Sequence, residues 1–199
     1  MARRRGSFRA FSRQRSFHMT HELRLYTVAD EYVDFLMTHD KRVFSNKEES
    51  RSFERKYLGT VLSVNQVNYF VPLASPKDSD FYYDEHGVKH IRRSIIPIIR
   101  ITHRESGGNM SVLGTIKFSN MIPVLATELQ QYDIHSEPDE QYRDLVQKQW
   151  AFIRRNKEKI YKHAQTIYSQ KKKKTEGVGY LNSTVDFLLL EQKMEEYIR

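Results

Sequence analysis

Apolar positions concentrate in two neighbouring runs of the chain, Tyr57–Val64 and Tyr69–Leu73. Both runs are rich in β-branched and aromatic residues, which favour strands, and the polar pair Asn65-Gln66 lies between them. The pattern therefore predicts a β-hairpin. Pro72 has no amide hydrogen to donate to a ladder, so we expect the second strand to lie at a sheet edge or to end there.

Shorter periodic segments flank this hairpin. Leu23–Val28 predicts a strand, and the apolar spacing that follows predicts a helix at about Ala29–His39. Residues 40–56 are dense in charged side chains without periodicity, which indicates a long loop. Four more strands are predicted after the hairpin, at Lys89–Arg92, Ile95–Thr102, Ser111–Phe118 and Ile122–Leu125.

Helical periodicity dominates the second half of the chain. From Asp139 to about Lys171 an apolar stripe lies opposite Lys and Arg residues, which predicts one long amphipathic helix. Gly177-Val178-Gly179 breaks this pattern, and Ser183–Tyr197 predicts a final helix. Because the strands are short and frequent, the predicted fold class is α+β, with a compact, strongly bent antiparallel sheet or barrel decorated by helices.

Composition narrows the possible classes of protein. The chain of 199 residues contains no cysteine, which excludes disulfides, thiolate metal sites and cysteine nucleophiles together. The apolar runs are all shorter than the roughly 18 residues that indicate a membrane span, so we expect a soluble, cytoplasmic protein. We assign residues 23–199 to a single domain.

The net charge of +8 suggests a polyanionic partner, but the charge is unevenly distributed. Residues 1–18 hold six arginines and no acid, and taking those arginines from +8 leaves +2 for the rest of the chain. This composition fits an organelle transit peptide, a basic nucleic-acid arm or an extension that precedes a start at Met19. We favour the extension, and we predict that residues 1–22 are disordered.

A hydroxyl, a proline and a lysine directly follow the second hairpin strand, in the sequence Ser75-Pro76-Lys77. Pro76 restricts Ser75 to an extended conformation and fixes its own φ, which would hold the Ser75 hydroxyl and the Lys77 ammonium at a stiff strand exit. Such an exit can present polar groups to a ligand from a rigid sheet. The same three residues also fit an ordinary polar turn.

Two groups of side chains raise the question of a metal. His86 and His90 are four residues apart, which suits a metal ion only on a helix, and on a strand they would lie roughly 13 Å apart. Gly87 and the strand that follows argue against a helix, so we reject a metal site there. The second group consists of four acids with Tyr82 and Tyr83 between them, and this pattern predicts an exposed loop. The acids are Asp78, Asp80, Asp84 and Glu85.

Several segments match one family in order and spacing, although no single motif is specific. The segments are Leu25–Val28 with Tyr32, Tyr57–Gly59, Val71–Lys77, Asn120–Val124, Lys148–Arg154 and Asp186–Glu191. Together they resemble the ToxN/AbiQ family, the endoribonuclease toxins of type III toxin–antitoxin and phage-abortive systems. The resemblance extends from about residue 23 to the C-terminus.

This resemblance implies an SH3-like barrel of the MazF and Kid type. It also implies metal-independent cleavage of single-stranded RNA, growth arrest or phage defence, and inhibition by a small repeated RNA that folds as a pseudoknot. In the family, toxins and RNA repeats assemble into closed rings. No cofactor is expected.

The same resemblance assigns roles to individual residues. Ser75 and Lys77 lie where the family has its active-site serine and lysine, Arg55 where it has a second lysine, and Tyr32 where a helix tyrosine lies close to the site. Two departures accompany these matches. Ala74 replaces a frequent threonine, and the loop before Arg55 has no clear equivalent of the tyrosine usually found there.

Cleavage without a metal requires the 2′-hydroxyl to attack its own phosphorus, which leaves a 2′,3′-cyclic phosphate and a 5′-hydroxyl. Lys77 and Arg55 suit the stabilisation of phosphoryl charge, and Ser75 can bond the phosphate or orient the nucleophile. The general base stays open between a lysine of depressed pKa and a tyrosine.

Binding of an RNA antitoxin would use phosphate contacts and stacking on unpaired bases. Charge and family geometry give the candidates Lys47, Arg51, Phe53, Lys56, Tyr82, Lys117, Arg154 and Arg155. The competing hypothesis is a non-catalytic RNA-binding protein on the same barrel, with Lys77 and Arg55 as phosphate anchors. A third hypothesis is a metal nuclease that uses the acids of residues 78–85.

Overall fold

The predicted hairpin lies at the centre of the sheet in the computed structural model, which describes residues 22–47 and 53–197. The strands are β1 (Arg24–Val28), β2 (Tyr57–Val64), β3 (Val67–Ala74), β4 (Phe81–Tyr83), β5 (Lys89–Ile91), β6 (Ile98–Arg104), β7 (Met110–Lys117), β8 (Ile122–Pro123) and β9 (Leu129–Gln131). The helices of the described residues are α1 (Asp30–His39), α2 (Glu140–Arg155), α3 (Lys157–Lys172) and α4 (Phe187–Tyr197).

Seven strands form one antiparallel sheet with the order β6-β7-β3-β2-β1-β9, and β8 pairs with β3 beside this path. β4 and β5 form a separate two-stranded hairpin. Within the described ranges no pairing joins β6 to β9, so the sheet is not closed. The mixture of helices with an antiparallel sheet confirms the predicted α+β class.

A tight turn at Asn65 and Gln66 forms the central hairpin. Both residues have positive φ, 50° and 70°, and two such residues suit the turn that matches the twist of paired strands. Asn commonly adopts this conformation, whereas Gln does so less readily. The hairpin prediction is confirmed, with β3 beginning at Val67, two residues before the predicted start.

Pro72 does not lie at a sheet edge, so that alternative was wrong, and β3 ends two residues later, at Ala74. β3 pairs with β2 on one side and with β8 and then β7 on the other. The Leu73 N–H donates to the Lys56 carbonyl of the β2 side at 2.9 Å, and alternate amides of a strand point to opposite neighbours. The missing N–H of Pro72 therefore falls where β3 changes its partner from β8 to β7.

The helices cover the sheet with the apolar faces that their periodicity predicts. α1 buries Tyr32, Val33 and Leu36, while α3 and α4 bury their own apolar stripes against β2, β8 and each other. The carboxylate of Glu191 on α4 accepts hydrogen bonds from the hydroxyls of Tyr69 at 2.7 Å and Tyr168 at 2.8 Å. These bonds connect β3, α3 and α4. None of the described helices is long and apolar enough to cross a bilayer.

Where one long helix was predicted from Asp139 to Lys171, the structure has two, α2 and α3, because the helix is interrupted at Asn156. The Asn156 backbone has φ −114° and ψ 16°, outside the helical range, and its side-chain amide donates to the Phe152 carbonyl at 2.8 Å. An Asn side chain that bonds a nearby carbonyl competes with the helical ladder. The apolar stripe continues across the break, which explains why periodicity alone did not reveal it.

Other boundaries differ by a few residues from the prediction. β6 begins at Ile98 rather than Ile95, and α4 begins at Phe187 rather than Ser183. β9 had not been predicted. The predicted extension over residues 1–22 lies outside the described residues, apart from Glu22.

We predict that Gly59→Ala destabilises the protein, because a Cβ at this position would overlap the ring of Phe70. Forcing extra volume into a packed core typically costs about 1–3 kcal/mol. The matched control is Gly107→Ala, since nothing lies within 4 Å of a Cβ built there. Thermal unfolding followed by circular dichroism measures both variants. Equal melting temperatures would show that the β2–β3 packing tolerates the methyl group.

Candidate active site

The end of β3 presents a hydroxyl and an ammonium to solvent. β3 ends at Ala74, and the next three residues, Ser75, Pro76 and Lys77, are all exposed. The same strand is almost entirely buried from Tyr69 to Leu73. The exit is therefore a polar tip on a strand held in the core, as the sequence predicted.

A buried carboxylate fixes the conformation of this exit. Asp80 Oδ2 accepts a hydrogen bond from the Lys77 N–H at 2.9 Å, and the Asp80 N–H donates to the Lys77 carbonyl at 2.8 Å. These reciprocal bonds close a single turn over Asp78–Asp80. Asp80 is only 1% exposed, so the prediction of an exposed acidic loop was wrong for this residue.

The buried charge of Asp80 is compensated by Arg100 on β6. Arg100 Nε lies 3.0 Å from Asp80 Oδ1, at an angle that makes the contact an ion pair rather than an aligned hydrogen bond. Arg100 Nη1 donates to the Arg93 carbonyl at 2.7 Å, and the Asp80 carbonyl accepts from the Arg92 N–H at 2.9 Å. The pair thus ties the Lys77 turn to β6 and to the segment before it.

Lys117 at the end of β7 belongs to the same cluster. Arg100 pairs with Thr115, and Ile98 pairs with Lys117 two residues further along. Because alternate residues of a strand share a face, Arg100 and Lys117 lie on the same side of the sheet. Ala74, the last residue of β3, pairs with Thr115 and lies in the same row.

The environment of Lys117 disfavours its charged form. Loss of hydration on burial lowers the pKa of Lys117 below that of a free lysine. The Asp80 carboxylate opposes this change, whereas the positive charges of Arg100 and Lys77 lower the pKa further. Lys117 thus interacts electrostatically with all three charged residues of the exit.

Arg55 occupies a buried position beneath the exit. Arg55 is only 1% exposed. Its Nε donates to the Ser45 carbonyl at 3.1 Å, and its Nη1 donates to the Leu73 carbonyl at 3.2 Å. The guanidinium also lies 4.9 Å from the centroid of the Phe44 ring. In this structure Arg55 holds the loop of residues 43–47 against the end of β3.

Tyr32 lies in the core. Its hydroxyl donates to the Pro123 carbonyl at 2.8 Å, and its ring packs edge-on against Tyr197. Burial, followed by the nearby Glu128 and Tyr197, raises the pKa of Tyr32 far above that of a free tyrosine. Ser75 and Lys77 lie together at the exit, and Lys117 belongs to the charged cluster beside them, whereas Tyr32 contacts Pro123 and Tyr197 in a different part of the core.

The predicted RNA-binding residues are in varied environments. Lys56 is buried, with Nζ 3.5 Å from Glu54 and 4.3 Å from the centroid of the Tyr132 ring. Phe53 stacks on Tyr142 at 3.8 Å with nearly parallel rings. Arg154 is exposed and borders a cleft of about 520 Å³ that also contains Trp150. Arg51 lies outside the described residues, and the RNA-binding roles stay predictions.

Acidic and imidazole side chains do not converge into a metal centre in the described ranges, where no group of three or more His, Asp or Glu residues has that geometry. His90 Nε2 instead contacts Asp84 Oδ2 at 2.7 Å within the β4–β5 hairpin. The exit is surrounded by cations and a hydroxyl, and these groups bind phosphate oxygens.

The sequence analysis did not identify Asp80 and Arg100 as parts of the site. An acid three residues after Lys77 is a recognisable capping arrangement, so the turn carried a local signal. Arg100 carried none, because arginines also occur at positions 92 and 93 and only the fold selects the partner of Asp80.

The chain is similar to known proteins over most of its length. A family model described as toxin ToxN of type III toxin–antitoxin systems matches residues 24–195. The endoribonuclease ToxN of Bacillus thuringiensis subsp. kurstaki is 30% identical over 185 residues, which cover 87% of this chain and 84% of the relative.

Solved structures agree with this match. One, from work on selective toxin inhibition by a non-coding RNA pseudoknot in type III systems, superposes with a TM-score of 0.71 at 26% identity and covers 90% of this chain and 99% of its own. Another is AbiQ, a lactococcal anti-phage endoribonuclease of a type III system, with a TM-score of 0.69 at 28% identity, 89% coverage of this chain and 99% of its own.

We predict that Arg55→Ala lowers the free energy of unfolding by about 1–3 kcal/mol, because it leaves the buried Leu73 carbonyl and the partly buried Ser45 carbonyl without this donor. The matched control is the exposed Arg154, for which Arg154→Ala should change stability by less than about 0.5 kcal/mol. Urea unfolding measures both. An unaltered midpoint for Arg55→Ala would contradict a structural role and favour direct contact with RNA.

Proposed function

The chain belongs to the ToxN family of type III toxin–antitoxin systems, and we propose that it is an endoribonuclease toxin that cleaves single-stranded RNA. The observation that carries this proposal is the strand exit, where Ser75 and Lys77 are exposed and the buried Asp80 fixes the Lys77 backbone. Preorganised donors of this kind stabilise charge that develops in a transition state.

The proposed reaction needs no metal ion. The 2′-oxygen attacks the adjacent phosphorus, the bond to the 5′-oxygen breaks, and the products end in a 2′,3′-cyclic phosphate and a 5′-hydroxyl. Lys77 stabilises the negative phosphoryl oxygens, and Ser75 donates a hydrogen bond to the phosphate or orients the nucleophile. The contacts of Arg55 and Tyr32 support positioning roles, in which they hold the end of β3 and helix α1.

A structured RNA is the proposed inhibitor. The relatives include a toxin whose inhibition by a non-coding RNA pseudoknot has been described, and we extend that partner class to this chain. Phosphates of the RNA would contact Arg154 and Arg51, and unpaired bases would stack near Phe53. We also propose that protein and RNA repeats assemble into a closed complex.

The open sheet is consistent with descent from an SH3-like barrel of the MazF and Kid type. Two features support this finer assignment: the register shift in β2 between Leu58 and Leu62, and the position of β3 with partners on both sides. Bulges and partner changes of this kind let a small sheet bend strongly. We further assign residues 23–199 to one catalytic domain and the protein to the cytoplasm, where its RNA substrates would be.

Lys77→Ala should lower the rate of RNA cleavage in excess EDTA by roughly 100-fold or more, because it removes a cation that stabilises the transition state. The assay uses a long single-stranded RNA and protein freed of bound RNA, and it identifies product ends as 2′,3′-cyclic phosphates. The control is Lys157→Ala, an exposed lysine at the start of α3, which should cleave like the wild type.

Two results would contradict the proposed metal-independent endoribonuclease. RNA that is bound but left intact by folded wild-type protein would favour the non-catalytic RNA-binding protein. Cleavage that disappears with EDTA and returns with a divalent cation would favour a metal nuclease.

We expect a tandem-repeat RNA encoded just upstream of the gene, and one transcribed repeat should inhibit cleavage at stoichiometric amounts. Inhibition follows from occupation of the basic exit by a folded polyanion. A repeat of the same composition with scrambled sequence is the control, since it has the charge without the fold. Equal inhibition by both RNAs would show that charge alone is responsible and would contradict a specific antitoxin.

A further inference from the structure

We propose that Lys117 is the general base of this chain, the amine that takes the proton from the attacking 2′-hydroxyl, within the charged cluster that Lys77, Asp80 and Arg100 form at the end of β3. The inference rests on the proposed endoribonuclease function and goes beyond the sequence-based expectation, which gave Lys117 only a role in RNA binding. The catalytic lysines would then be Lys77, as the cation that stabilises phosphoryl charge, and Lys117, as the neutral base.

Lys117 is the last residue of β7, and the end of β7 overlaps antiparallel with the end of β3 through the pairs Leu73–Ile116 and Ala74–Thr115. Lys117 therefore lies one residue beyond this short overlap on one side, and Ser75 lies one residue beyond it on the other. Lys117 shares its sheet face with Arg100, and Arg100 contacts Asp80, which in turn binds the Lys77 backbone. Lys117 therefore belongs to the same charged cluster as Arg100, Asp80 and Lys77.

The surroundings of Lys117 also disfavour its charged form. A lysine acts as a base only in its neutral form, and catalytic lysines are made neutral by burial and by neighbouring cations. Lys117 is half-buried, and burial, Arg100 and Lys77 all lower its pKa, while Asp80 alone raises it. The charged groups that face Lys117 come from the turn, as Lys77 and Asp80, and from β6, as Arg100.

The other candidates fit the role less well. Arg55 is a guanidinium, which stays protonated in proteins, and it is buried against main-chain carbonyls. The Tyr32 hydroxyl donates to the Pro123 carbonyl, and its raised pKa keeps the proton on the oxygen at neutral pH. Among the residues that the sequence placed in the site, Lys117 is the one whose surroundings favour a neutral amine.

The proposed step conserves protons. Neutral Lys117 Nζ accepts the 2′-hydroxyl proton while the 2′-oxygen forms its bond to phosphorus. The bond from phosphorus to the 5′-oxygen breaks with its electron pair, and the 5′-oxygen takes a proton from water. The hydroxide that remains is neutralised by the proton on Lys117, which restores the neutral amine.

Two substitutions at Lys117 separate a base from a phosphate anchor. Lys117→Arg keeps the positive charge but cannot accept a proton near neutral pH, and Lys117→Met keeps the length without charge. With protein in excess over RNA, we expect each variant to cleave at least roughly 100-fold more slowly than the wild type. Binding of uncleaved RNA by Lys117→Arg should stay within about two-fold, and circular dichroism checks that both variants fold.

The pH dependence of cleavage gives a readout that a structural role would not move. The wild-type rate should rise with pH as Lys117 loses its proton, and this rise should disappear in Lys117→Arg. Arg100→Gln removes a cation that lowers the Lys117 pKa, so the rise should move to higher pH. Asp80→Asn removes the carboxylate that raises the pKa, so the rise should move to lower pH.

The outcomes distinguish this inference from the proposed function. If the wild type does not cleave RNA, or if Lys77→Ala cleaves normally, the proposed function fails. If the wild type cleaves, Lys77→Ala is inactive and Lys117→Arg retains near-normal rates, only the inference is overturned, and Lys117 is a phosphate anchor. Shifts of the same sign in Arg100→Gln and Asp80→Asn would likewise overturn it.

Discussion

The candidate site depends on one buried carboxylate, that of Asp80. A carboxylate taken out of water costs several kcal/mol unless charge and hydrogen bonds compensate it. Here the compensation comes from Arg100 at 3.0 Å and from the Lys77 N–H at 2.9 Å. Each of these partners belongs to a different element. The interactions that offset the cost of burying Asp80 are therefore the same interactions that fix the exit of β3 relative to β6.

The position of β3 explains why the exit is rigid. It is the only strand of the described sheet that has β2 on one side and both β8 and β7 on the other. Main-chain hydrogen bonds hold β3 up to Ala74. Pro72 within the strand and Pro76 just after it further limit the backbone freedom of the chain. A side chain placed one to three residues beyond such a strand has little backbone entropy left to lose when a ligand binds.

Local signals predicted the parts of the fold that depend on neighbouring residues. The β2–β3 hairpin and α1 were found because their periodicity and turn residues lie within a few positions of each other. The interruption of the helix at Asn156 was not predicted because the apolar stripe continues through it. The burial of Asp80 was not predicted because its partner Arg100 lies 20 residues away in sequence, and only the folded chain brings the two side chains together. Ser75 and Lys77 were identified through the family resemblance, whereas the arrangement around them required the structure.

An acid inside a site that is proposed to bind phosphate is unfavourable at first sight, since it repels the substrate. The geometry resolves this conflict, because Asp80 is 1% exposed and its charge is directed at Arg100 and at the Lys77 backbone rather than at solvent. The Lys77 side chain is exposed to solvent and lies outside this buried pair. Lys117 interacts with Asp80, which favours its charged form, and with Arg100 and Lys77, which favour the loss of its proton. The buried Asp80–Arg100 pair thus lies next to a lysine whose charged form is disfavoured by burial and by two neighbouring cations, and this is the environment that a lysine general base requires.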